Sequence, residues 1–144
     1  MRVRFAVGIA MIAALLAPAG MTVRAQTPAP PARKMAPPLR GSAEVGYMMS
    51  AKRAGDKIIT TFEVKNLSLT GSIVGLQITQ YFYDKAGNAL QGTGDRQRLR
   101  KPLGPGEVAE IVLTSPTVIG MTTPQHKFTH QNGDVKPTLL KTMK

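Results

Sequence analysis

From Gly41 to the C-terminus the sequence is broken every few residues by Gly, Pro, Asn or Asp, and the segments between are rich in Ile, Val, Thr, Tyr and Phe. Such spacing gives no convincing amphipathic helix and suits short strands joined by turns. Seven strands are predicted: Ala43 to Lys52, Lys57 to Lys65, Ile73 to Tyr83, Ala89 to Arg100, Glu107 to Thr114, Lys127 to Gln131 and Asp134 to Leu140. In the second, Ile58, Thr60, Phe62 and Val64 alternate with Ile59, Thr61, Glu63 and Lys65, which directs Phe62 and Val64 into a core. Seven short strands over residues 41–144 predict an all-β domain, two antiparallel sheets packed as a sandwich, with a small barrel as the alternative.

The turn residues sharpen this reading. Gly55 supplies a cheap positive φ after the first strand, and Asp84 to Asn88 reads as a hairpin loop. Pro102 and Pro105, with Gly104 and Gly106, stop the fourth strand because a proline ring cannot donate to a ladder. That strand has only Leu90 and Leu99 as large aliphatics, so it is expected at a sheet edge. Asn132-Gly133 predicts a type I′ turn, and Pro137 places the last strand at an edge.

The N-terminus has a different character. Arg2 and Arg4 precede an uncharged run from Phe5 to Ala17, followed by Pro18, Gly20 and the triplet Val23-Arg24-Ala25. Charged start, apolar stretch and small residue are the parts of a secretory signal, here residues 1–25, with a second possible cut after Ala19. An uncleaved anchor is the alternative, since Phe5 to Val23 approaches the ~20 residues that span a bilayer, although Pro18 and Gly20 interrupt it. Residues 26–40 then hold Pro28, Pro30, Pro31, Pro37 and Pro38, the composition of an extended spacer, and the folded unit is expected to begin near Gly41. The chain carries 19 Lys and Arg against 8 Asp and Glu and stays strongly basic after cleavage. It has no cysteine, which removes disulfides, thiolate metal sites and thiol nucleophiles together.

Val64-Lys65-Asn66, the run Ile78 to Asp84, Gly87, and Leu103-Gly104-Pro105-Gly106-Glu107 together resemble the FxLYD-type immunoglobulin-like domain of exported bacterial proteins. The resemblance covers about Thr61 to Thr114, with Tyr83, Asp84, Gly87, Leu103, Pro105, Gly106 and Glu107 kept and Phe82 and Gln80 departing from the pattern. It implies an immunoglobulin-like sandwich and a periplasmic or extracellular setting, with no catalytic residue to carry over. Gln80 is the instructive departure, because a buried unpaired amide costs about 1–3 kcal/mol. Either it is hydrogen-bonded or its face of the sheet is not dry.

Candidate chemistry is sparse. No nucleophile elbow, P-loop or zinc-protease motif occurs, Gly92-Thr93-Gly94 lacks a strand-to-helix context, and the carboxylates form no acid/base pair in sequence. His126 and His130 on one strand lie about 13 Å apart, too far to share a metal. Met48, Met49 and Met121 are possible soft ligands for Cu(I), though core filling suits them better. Arg96, Arg98 and Arg100 alternate and, with Lys101, form the densest basic cluster; a regular strand would present the arginines as one cationic stripe.

Two functional expectations result. One is a non-enzymatic exported module with no cofactor, recognising an envelope protein through an edge strand or loop. The other is a binding module for an anionic lipid headgroup or polysaccharide through Arg96, Arg98, Arg100 and Lys101. A copper-handling sandwich built on His126, His130 and the methionines is a third.

Overall fold

The computed structural model describes residues 35–144. The expected signal segment and residues 26–34 of the expected spacer lie outside the described residues. The strands are β1 (Ala43–Ala54), β2 (Lys57–Asn66), β3 (Gln77–Tyr81), β4 (Asp95–Arg98), β5 (Val108–Pro116), β6 (Gln125–His130) and β7 (Gly133–Leu139). Among the described residues there is no helix, and so none long and apolar enough to cross a membrane.

The all-β expectation holds, with a topology that differs from two separate antiparallel sheets. All seven strands join one mixed sheet in the order β4-β3-β6-β7-β1-β2-β5. β7 is the joint: it meets β6 through Thr129↔Asp134 and His130↔Gly133, then runs parallel to β1 from Ala43↔Val135 to Tyr47↔Leu139. The sheet curls until its two end strands approach, and the Thr114 amide of β5 donates to Asp95 Oδ2 of β4 at 2.7 Å. One side-chain bond thus bridges what would otherwise be the open side of a barrel.

Glycines explain where the predicted strands shorten. The run from Ile73 breaks at Gly75, whose φ of +63° lies in the left-handed region, so Ile73 bridges Leu103 while β3 starts only at Gln77. The expected return strand from Ala89 likewise breaks at Gly92 (φ +74°), leaving the short β4 at the sheet's end, as anticipated for an edge. The last turn differs as well. With His130 paired to Gly133, the loop residues are Gln131 and Asn132, and among the described residues only glycines have a positive φ, so the type I′ turn is not formed. Gly133 has a packing role, since a Cβ there would overlap the Gly41 carbonyl. Pro137 lies beyond the β6 pairing and opposite Val45 of β1. β7 is therefore an inner strand with one locally free flank, which tolerates a residue lacking N–H.

Alternation fills the interior. Phe62 and Val64 of β2, Val45 of β1, Ile78 of β3, Ile111 and Leu113 of β5 and Phe128 of β6 are buried, joined by Ile73, Leu76 and Leu103 from the connections. Tyr47, Phe62 and Phe128 pack with ring centroids 5.0–6.1 Å apart. Burying one such aliphatic or aromatic side chain stabilises the fold by about 1.5–3 kcal/mol. The chain joins this body before Gly41: the Leu39 amide donates to the Ser72 carbonyl, the Ser72 amide donates to the Pro37 carbonyl, and Leu39 packs on the core.

Candidate functional site

The expected cationic stripe is split. Arg96 and Arg98 are exposed on one face of β4, but the strand ends at Arg98, and Arg100 and Lys101 follow in a bend. Arg98 lies against Gly75 and donates to Gln131 Oε1 at 3.1 Å. Register adds a cation that the sequence did not suggest, because Arg96 is opposite Thr79, which is opposite Lys127 of β6. The positive face therefore runs across strands as well as along one.

Inside the domain, Gln80 is completely buried and satisfied. Its Nε2 donates to Ser115 Oγ of β5 at 2.9 Å, and its Oε1 lies 2.9 Å from His126 Nε2 of β6. Because that oxygen can only accept, His126 carries its proton on Nε2. Burial, with the Phe62 ring edge-on at 4.8 Å, pushes the His126 pKa below its ordinary value, so the neutral ring is favoured. Thr60 is also fully buried on the inner face of β2, and its hydroxyl has no hydrogen-bond partner among the described residues.

The residues that carry the family resemblance form two structural clusters. Asn66 Nδ2 donates to the carbonyls of Gly71 and Leu103, and its Oδ1 accepts from the Ser68 amide. Gly104 to Glu107 closes as a turn through Glu107 N–H to the Gly104 carbonyl, with Pro105 and Gly106 (φ +69°) at its centre and Glu107 Oε2 accepting from the Gly104 amide. In the second cluster Asp84 accepts from both the backbone and side-chain amides of Asn88, while Gly87 (φ +84°) completes the loop. The Asn88 backbone amide is the main reason that the Asp84 carboxyl sits below its usual pKa. The Tyr83 carbonyl accepts from both the amide and hydroxyl of Thr122.

The histidines do not meet. His130 donates from Nε2 to the Gly41 carbonyl at 2.7 Å and accepts at Nδ1 from the Asn132 amide, far from the Gln80 bond of His126. Met121 sulfur accepts from the Val118 amide, whereas Met48 and Met49 adjoin Thr61 and Glu63. No group of three metal-ligating residues occurs among the described residues.

The remaining feature is the outer flank of β5, which register alone makes visible. Glu107 O and Thr117 N bond the β2 side, through Asn66 N and Asp56 O, whereas Thr114 N turns away to Asp95. In an antiparallel ladder this parity makes odd-numbered residues bond β2 and leaves Val108, Glu110 and Val112 with N–H and C=O aimed outward. Val108 and Val112 are 43% and 41% exposed, large values for β-branched residues of a strand. The far end of the flank is blunted: Asp95 covers Thr114, and Pro116 has no N–H. The chain matches no protein-family model, and no curated protein matches it either.

Proposed function

We propose that this chain is an exported, non-enzymatic immunoglobulin-like sandwich of the FxLYD type that acts as a protein-interaction or structural module in the bacterial periplasm or cell envelope. The strand adjacencies support the fold reading: β2 beside β5, and β6 between β3 and β7, correspond to the B–E and C–F–G neighbours of immunoglobulin sheets, with β7 parallel to β1 joining the halves. The signal-like start of the sequence supports export. The observation that carries the interaction reading is the flank of β5 from Val108 to Val112, a row of backbone groups with no partner among the described residues, beside exposed valines. Unpaired edges of this kind add a partner's strand through main-chain bonds.

The test is a crosslinking pull-down from native envelope with the chain lacking residues 1–25, in low and high salt. Strand addition predicts specific protein capture that survives salt, since main-chain bonding resists screening. The second reading, an anionic lipid headgroup or polysaccharide on Arg96, Arg98 and Lys127 with Arg100 and Lys101 at the margin, is favoured by the cross-strand row Arg96-Thr79-Lys127. It predicts capture that disappears in high salt and in the Arg96/Arg98/Arg100 triple alanine variant.

A further inference from the structure

Within the β5 flank one pairing stands out. Glu63 of β2 is directly opposite Glu110 of β5, and both are exposed on the outer face. The alternation above makes this a non-hydrogen-bonded pair, the kind with the closer side chains. Like charges directly opposite each other destabilise a sheet. In a chain with 19 basic and 8 acidic residues, two carboxylates adjoin at an edge whose backbone is unpaired among the described residues.

We infer that the β5 edge receives an extended segment of a partner protein carrying a Lys or Arg that faces Glu110. This rests on the interaction reading above and gives it a partner chemistry. A strand added beside β5 bonds the outward N–H and C=O groups of Val108, Glu110 and Val112. The partner residue paired with Glu110 then projects on the outer face, extending the row Glu63-Glu110 by one position. A cation there faces the carboxylate pair and offsets its repulsion. The partner's two flanking residues project to the opposite face, alongside half-buried Ala109 and buried Ile111, where small apolar or β-branched side chains fit. The recognised pattern is thus apolar-basic-apolar. Proline at the basic position is excluded, because that N–H must donate to β5.

Charge argues against a second copy of this chain as the occupant. Two β5 edges paired about Glu110 would put Glu110 against Glu110, adding the partner's Glu63 and Glu110 to an already repulsive row. Shifting the register outward meets Thr114, whose amide Asp95 already holds.

The test titrates isotope-labelled protein with end-blocked Thr-Val-Lys-Val-Thr and with the same peptide carrying Glu in place of Lys, following backbone amide resonances. The lysine peptide is expected to shift the Val108, Glu110 and Val112 amides, and N-methylation at its lysine to abolish the effect. Glu110→Lys lowers affinity for the lysine peptide about tenfold and raises it for the glutamate peptide similarly, while placing an opposite charge beside Glu63 that keeps the fold. Equal binding of both peptides, or shifts confined to other strands, overturns the proposal. So does a dimer in sedimentation velocity that Glu110→Lys changes, which would make a second copy the occupant. A photo-crosslinker at Val112, which leaves Glu110 in place, and another at Ile119, in the exposed β5–β6 loop, separate the two levels: protein capture at Ile119 alone rejects this edge and keeps the interaction module, and capture at neither site rejects both.

Discussion

Asn66 and Gln80 are both fully buried amides, yet they hold the domain in different ways. Asn66 bonds only backbone: the Gly71 and Leu103 carbonyls and the Ser68 amide. Gln80 bonds only side chains, Ser115 on β5 and His126 on β6. Backbone partners cannot be replaced by substitution, so Asn66 is an obligatory part of its turn cluster. Gln80 belongs to a set of three side chains that can be changed together, and Asp95 of β4, opposite it in register, accepts from the Thr114 amide of β5. One amide fixes local geometry, whereas the other fastens the two ends of a curled sheet.

The largest expected effect follows from that difference. Asn66→Ala leaves the Gly71 and Leu103 carbonyls and the Ser68 amide without the side-chain partner they now have, and should destabilise the domain by about 3 kcal/mol in urea unfolding. Asn66→Asp should recover little, because a carboxylate cannot donate to two carbonyls. Gln80→Leu should cost less, about 2 kcal/mol, by leaving Ser115 and His126 unpaired. Adding Ser115→Ala and His126→Phe should regain most of that loss, since removing all members of a buried polar set is far cheaper than removing one. If the triple variant stays as unstable as Gln80→Leu alone, the contrast between the two amides is mistaken.

A smaller effect has the opposite sign. Thr60 buries a hydroxyl with no partner on the same inner face as Phe62. Thr60→Val keeps the β-branched shape and removes the unpaired group, so it should stabilise by about 1 kcal/mol. A destabilised Thr60→Val protein would mean that this hydroxyl belongs to the Gln80 set after all.

The same contrast explains what the sequence could disclose. Local chemistry was readable: Phe62 and Val64 point inward, Asp84 and Gly87 form the loop expected, and β4 lies at the sheet's end. Gln80 was readable as a question, because its parity with Ile78 buries it and an amide there needs partners. Those partners were not readable, since Ser115 lies 35 residues away and His126 lies 46 away, and only the curl of the sheet brings them in. The Glu63-Glu110 pair depends in the same way on the β2–β5 register. Conversely, the arginine alternation suggested a stripe longer than β4 provides, because a strand's end cannot be fixed from alternation alone. The Asn132-Gly133 reading failed because Gly133 serves the close approach to Gly41.

The smallest expected effect separates the two amides by pH. His126 is half-buried against Phe62 and its pKa is depressed below 6.5, whereas every Asn66 partner is a non-titrating backbone group. Between the folded and unfolded pKa values of His126 the unfolded chain binds more protons, so stability rises with pH through that window. As pH falls from 6.5, the unfolded ring protonates first and stability declines until the folded ring also titrates. Asp84, with its carboxyl pKa held low by Asn88, stays ionised throughout and contributes nothing to this slope. Urea midpoints measured at pH 7.5 and pH 5.5 should therefore fall more for the natural chain than for His126→Gln, while Asn66→Ala should retain the full fall from a lower starting stability. An identical fall with and without His126 would mean that its ring is solvated in both states and that the Gln80 set owes nothing to burial of the imidazole.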